Sequence, residues 1–115
     1  MPTYTTMNPA SSANANRDAF LNDVNLGVPI TIPSGTYDSN YIAVANGKHI
    51  QFIWQAGAVL RPSASLNTPF ISGTGCTWDL TDPKIDNRSI AEVAIKAVNG
   101  TFNATGVDIS NCGRN

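Results

Sequence analysis

Charge is what this sequence has least of. Asp, Glu, Lys and Arg make up only 13% of its 115 residues, about half of the usual quarter. The net charge is −1, and no basic stripe is present, which excludes nucleic-acid recognition through phosphates. No apolar run approaches the roughly 20 residues of a membrane-spanning helix. The opening Met1-Pro2-Thr3-Tyr4-Thr5-Thr6-Met7 has neither a basic start nor an apolar stretch, so it does not read as a secretory signal.

Histidine is equally scarce. His49 is the single one, so a His-based metal site lacks its second ligand, and an outward polar strand position is the plainer reading. Ser72-Gly73-Thr74-Gly75 lacks the Lys and the following helix of a phosphate loop. Of the two cysteines, Cys76 and Cys112, a disulfide requires Cα atoms within about 7 Å. Two free, buried thiols are the expectation without an export signal. For the same reason Asn87-Arg88-Ser89, Asn99-Gly100-Thr101 and Asn103-Ala104-Thr105 carry no weight as glycosylation sites.

Gly, Pro, Asn, Ser and Thr fill the space that charge leaves. That mixture suits tight turns between short strands in a single domain. The strongest signal is a stretch written twice. Thr77-Trp78-Asp79-Leu80-Thr81-Asp82-Pro83-Lys84-Ile85-Asp86-Asn87 aligns without a gap on Thr101-Phe102-Asn103-Ala104-Thr105-Gly106-Val107-Asp108-Ile109-Ser110-Asn111. An offset of about 24 residues is in the range of solenoids and arrays. Apolar residues two apart (Trp78 and Leu80, Phe102 and Ala104, Val107 and Ile109) are at strand spacing. The expected fold is therefore a coil of short stacked strands. Asn87 and Asn111 close both copies and would lie about 4.8 Å apart, where their amides can form a ladder.

The rest of the chain is read around that repeat. Residues 1–13 form an extended N-terminal arm that orders only against a partner or the body; residues 14–115 form the domain. Asn14 or Asn16 caps a short helix over Arg17–Asn25, with Ala19, Phe20, Val24 and Leu26 as its stripe and Gly27 ending it. Strands are expected at Val28–Ile32, Tyr41–Val44, His49–Gln55 and Phe70-Ile71. Turns are expected at Pro33–Thr36 and Asp38–Asn40, with a loop over Pro62–Pro69. Ile90–Val98 reads either as helix or as a strand through Val93, Ile95 and Ala97; the strand suits the coil better.

Val28-Pro29-Ile30-Thr31-Ile32-Pro33-Ser34-Gly35-Thr36-Tyr37 after a short amphipathic helix resembles the opening of the pectate-lyase-like right-handed parallel β-helix family. There an apolar strand runs into Pro-x-Gly-x-Tyr, and the helix plugs the open end. Lys48-His49-Ile50-Gln51-Phe52 and Val107-Asp108-Ile109-Ser110-Asn111-Cys112 also look like rungs of that family. The resemblance spans about residues 16–112. It implies an all-β fold: a short right-handed parallel β-helix, a single-stranded solenoid with an N-terminal capping helix. Phage tailspikes, pectin-degrading enzymes, other polysaccharide lyases and non-catalytic virion components share it. Family members usually carry more turns than the three or four countable here, and their catalytic clefts lie on middle turns. No catalytic, cofactor-binding or metal-ligating residue is carried over.

The chemistry-bearing residues read as follows. Asp79, Asp82 and Asp86 are the densest acidic group, with Asp79 and Asp86 pointing outward; Ca²⁺ binding or acid–base work on a sugar competes with solvated turn acids, which are the expectation. Arg61, Arg88 and Arg114 are scattered and expected to be solvated. Trp54 and Trp78 fall on inward phases and read as core. What the resemblance then implies is a non-enzymatic phage virion protein, assembled in the host cytoplasm: a tailspike or tail-fibre segment for host-surface attachment, or a capsid decoration protein. It would be a homotrimer docking on other virion proteins through its arm. The alternative is a polysaccharide lyase or glycoside hydrolase acting on bacterial surface glycan.

Overall fold

The computed structural model describes residues 3–63, 69–91 and 93–111. The described residues are mostly β, with one helix among them: β1 (Thr3–Tyr4), α1 (Ala13–Asn25), β2 (Ile30–Ile32), β3 (Gly35–Ser39), β4 (Ile42–Ala43), β5 (His49–Trp54), β6 (Ala58–Pro62), β7 (Ile71–Thr74), β8 (Thr77–Thr81), β9 (Lys84–Asp86), β10 (Ile95–Val98), β11 (Thr101–Thr105) and β12 (Asp108–Ser110). These strands form three sheets, ordered β1-β2-β5-β8-β11, β3-β6-β9-β12 and β4-β7-β10. Every pairing is parallel. After β1, each bonded neighbour lies three strands further along the chain. Each pass of the backbone thus lays one strand on each sheet, against the strand of the pass before.

The repeated stretch pairs as its sequence predicts. Thr77 meets Thr101, Trp78 meets Phe102, Leu80 meets Ala104, and Ile85 meets Ile109. The Trp78 and Phe102 rings lie 6.0 Å apart, centroid to centroid. The alternation seen in the sequence becomes columns of like residues facing inward: Ile50–Trp78–Phe102, Ile30–Phe52–Leu80–Ala104, Tyr37–Leu60–Ile85–Ile109 and Ile42–Ile71–Ile95. Ile30, Ile50, Phe52, Leu60 and Ile85 are fully buried, and each such side chain stabilises the fold by about 1.5–3 kcal/mol through removal from water. Trp54 and Trp78 are core, as their phase requires.

The columns end in the open. Phe102 is 45% exposed, Val107 52% and Ile109 36%, whereas Trp78 and Ile85, one pass deeper, are at 1% and 0%. At the other end α1 covers the core. Phe20 stacks on Phe52 at 4.4 Å, and Phe20 and Val24 are buried. Corners between strands use left-handed backbone. Asp82 (φ 51°) and Gly106 (φ 64°) occupy the same corner in successive passes, and a Cβ on Gly106 would fall 2.0 Å from Asp82 Oδ1. Hence Gly stands opposite Asp in the repeat.

Several expectations are corrected. The helix starts at Ala13, capped by Ser12, whose Oγ accepts from Ala15 N–H at 3.2 Å. Asn16 is instead fully buried: it accepts from Asn8 N–H at 2.8 Å and donates to the Asp38 carbonyl at 2.9 Å. Leu26 is outside the buried stripe, at 56% exposure. The described part of the arm is fastened to the body. β1 adds to β2, Met7 is buried, and the buried Asp23 carboxylate accepts from the Thr5 hydroxyl at 2.6 Å and from the Thr6 hydroxyl at 2.7 Å. Gly35 and Thr36, and likewise Asp38 and Ser39, belong to β3, where turns were expected, and the strand expected at Phe70-Ile71 is β7, Ile71–Thr74. On the Ile90–Val98 stretch the strand reading holds only for Ile95–Val98, since Val93 is exposed and Ala94 is the buried one. Asn87 and Asn111 do share a column, but their amides diverge: Asn87 Nδ2 donates to the Ala91 carbonyl and Asn111 Nδ2 to Asp86 Oδ1. Cys76 is buried and free, while Cys112 and Arg114 lie outside the described residues, as does part of the Pro62–Pro69 loop.

Candidate functional site

The outward faces of the sheets carry the polar chemistry. On the first sheet, register places Gln51, Asp79 and Asn103 in one outward row and His49, Thr77 and Thr101 in the next. Asp79 links the two. Its Oδ2 is 2.5 Å from His49 Nε2, and its Oδ1 accepts from Asn103 Nδ2 at 3.2 Å. The hydrogen bond from His49, then that from Asn103, hold the Asp79 carboxyl below its ordinary range. The His49 and Asp79 side chains are each about half exposed. A shallow hollow of about 140 Å³ lies beside them, lined by Asp79, Thr81, Asn103 and Thr105 among others. A His–carboxylate pair of this kind fixes the imidazole orientation, as in a hydrolytic triad. Yet no hydroxyl or thiol among the described residues hydrogen-bonds to His49.

The second sheet carries a charge ladder. Asp38 and Arg61 are register partners, and the guanidinium forks the carboxylate, Nε to Oδ1 at 2.8 Å and Nη2 to Oδ2 at 3.1 Å. Burial works against the Arg61 charge, but the Asp38 hydrogen bond dominates and raises its pKa. Asp86 follows, accepting from Asn111 Nδ2 at 2.7 Å and from Arg88 N–H at 3.0 Å. Those two bonds hold the Asp86 carboxyl low. Arg88 Nη1 donates to the Pro62 carbonyl at 3.3 Å. Arg61 is therefore engaged by Asp38 within the fold, whereas Arg88 is exposed, as expected, with one hydrogen bond back to the body.

The three acids of the sequence cluster do not converge. Asp79 sits on the first sheet, Asp86 on the second, and Asp82 at the corner between them. Among the described residues no group of three or more His, Cys, Asp or Glu side chains is placed to hold a metal ion. At that corner lies a cleft of about 300 Å³, lined by Trp54, Gly57, Asp82, Lys84, Gly106 and Asp108 among others. It brings together two carboxylates, one ammonium and an indole. The indole N–H of Trp54 is buried without a hydrogen-bond partner. Lys84 Nζ stands 3.9 Å from Asp108 Oδ2.

Sequence reasoning missed the His49–Asp79 pair and the Trp54–Gly57 side of the corner cleft because the passes that carry them are not evenly spaced. Ile30 pairs with Phe52, 22 residues on; Phe52 pairs with Leu80, 28 on; Leu80 pairs with Ala104, 24 on. A fixed 24-residue repeat therefore misaligns His49. Comparison with known proteins returns no matching family model, curated protein or solved structure.

Proposed function

We propose that the three sheets are the sides of one short right-handed parallel β-helix, plugged by α1, of the pectate-lyase-like kind the sequence resembles. On that reading the protein is a non-enzymatic phage virion component, a tailspike or tail-fibre segment or a capsid decoration protein, working as a homotrimer. One observation carries the non-catalytic reading: the titratable groups that chemistry would need are tied to one another. Asp79 is held by His49 and Asn103, Asp86 by Asn111 and Arg88, and Arg61 by Asp38. Such pairing across successive strands braces an exposed sheet face, which suits a durable surface element. Tyr4, 51% exposed on the fastened arm, is the residue we expect to dock on neighbouring virion proteins.

The experiment is direct. Mass spectrometry of purified phage particles encoding the chain should find it as a stoichiometric component, and Tyr4→Asp should lower its incorporation. Absence from particles refutes the reading. The corner cleft with Asp82, Lys84, Asp108 and Trp54 favours a second reading, a lyase or hydrolase acting on bacterial surface glycan. Release of reducing ends or unsaturated uronates from acidic bacterial glycans, abolished by Asp82→Asn with Asp108→Asn, would replace the first reading with this one.

A further inference from the structure

We propose that the corner cleft seats one uncharged sugar ring through its hydroxyls, with Asp82 as the principal acceptor. The inference rests on the second reading's choice of site and names what that site takes. Binding and turnover are measured separately, so either can fail alone.

The cleft comes from a mismatch between passes. Register pairs Ile53 with Thr81 and Leu60 with Ile85. Between those pairs the chain runs through residues 54–59 in one pass but only 82–84 in the next. The pass after that again takes only 106–108 between Thr105 and Ile109. The long corner overhangs the two short ones, and the space beneath it is the hollow of about 300 Å³. At roughly 30 Å³ per water that is room for about ten waters. It lies at the small end of ligand pockets, so it suits one ring and not a chain of them. Its place is the flank of the stack, framed by three successive passes.

Two lining groups are uncommitted. Asp82 alone, among the described carboxylates, has a side chain with no hydrogen bond or ion pair. Its left-handed backbone (φ 51°) sets the carboxylate over Gly106, where a side chain would collide with it. Trp54 lines the same hollow while only 3% exposed, and its indole N–H has no acceptor. Lys84 and Asp108 complete the polar lining as a loose pair at 3.9 Å.

These groups choose between ligand chemistries. A carboxylate would face Asp82 and Asp108 with only Lys84 in its favour, and like charges in a cleft repel. An ammonium would suit Asp82 but face Lys84, and it offers nothing to the indole. A hydroxyl both donates and accepts. A ring that carries several can therefore donate to Asp82 and Asp108 and accept from Lys84 and Trp54. On an acidic glycan the unit seated here is a neutral one.

The test is an NMR titration of the labelled, intact chain with glucose, galactose and mannose, and with glucuronate and glucosamine at the same ionic strength. At least one neutral hexose should move the Asp82 and Gly106 amide signals and the Trp54 indole signal saturably. A dissociation constant on the order of millimolar is expected for a dozen heavy atoms. The indole of Trp78, which does not line the cleft, should stay in place. Glucuronate should bind about tenfold more weakly or worse. Asp82→Gly copies the residue at this corner in the next pass and keeps the left-handed backbone; it should weaken hexose binding about tenfold or more. No saturable shift with any of the neutral hexoses overturns the proposal. So does glucuronate or glucosamine binding as tightly as the best hexose, or Asp82→Gly binding as well as the native chain. Should that variant not fold, the ranking of sugars on the native chain decides. Hexose binding without release of reducing ends retires the second reading and leaves the seat; turnover without hexose binding does the reverse.

Discussion

Ile85 and Ile109 are the same residue type, in the same column, one pass apart, and they make a built-in control for the packing argument. Ile85 is fully buried and Ile109 is 36% exposed. Ile→Ala removes three carbons, about 2.4 kcal/mol of transfer free energy at roughly 0.8 kcal/mol per carbon. At Ile85 a cavity is left behind, at about 24 cal/mol per Å³, and the expected loss rises to about 4 kcal/mol. At Ile109 only about two-thirds of the transfer term applies, and the space opens to water, so about 1.5 kcal/mol is expected. Urea titration should show midpoints lowered by roughly 2–3 M for Ile85→Ala and about 1 M for Ile109→Ala, given a slope near 1.5 kcal/mol per M. Equal losses at the two positions would refute the claim that Ile85 is packed in the core while Ile109 is partly open to water.

Four further outcomes are expected. Asp23→Ala should release the arm, because the Thr5 and Thr6 hydroxyls and the Thr6 N–H all donate to that carboxylate; a loss of about 3 kcal/mol and new protease cleavage before residue 12 would be read by urea titration and mass spectrometry. Gly100→Ala should destabilise by about 2 kcal/mol or more, since its Cβ would lie 2.1 Å from the Cys76 carbonyl oxygen. Asp79 and Asp86 are both held below their ordinary pKa. Their contribution is thus fully present above the unfolded value near 3.9 and lost as pH falls below it and through the lower folded values; melting temperature should fall as pH is taken below about 4. His49→Gln removes the leading cause of the Asp79 shift, and the Asp79 carboxyl should titrate higher by NMR while Asp86 does not move.

How much of this was legible in the sequence depends on which residues are asked. The pairing of Thr77–Asn87 with Thr101–Asn111 was readable because the two copies align without a gap, so period-two alternation and register coincide. The inward phase of Trp54 and Trp78 followed from alternation alone. Ser12 was passed over as the helix cap because Asn14 and Asn16 are equally good capping types, and only the fold shows Asn16 committed to Asn8 and Asp38. Asp38 and Ser39 look like turn residues, yet the bidentate contact with Arg61 holds Asp38 in a strand, tertiary context overriding local preference. His49 and Asp79 meet across a 28-residue pass, a spacing that leaves no self-similar trace.

The central claim is that successive passes lie parallel and in register, like residue over like. The most direct measurement is interstrand nuclear Overhauser contacts in the labelled protein. The account predicts contacts linking Phe52 to Leu80, Leu80 to Ala104 and Trp78 to Phe102 in a parallel pattern. An antiparallel pattern through Thr77–Thr81 and Thr101–Thr105, or no contact between the Trp78 and Phe102 rings, would contradict it.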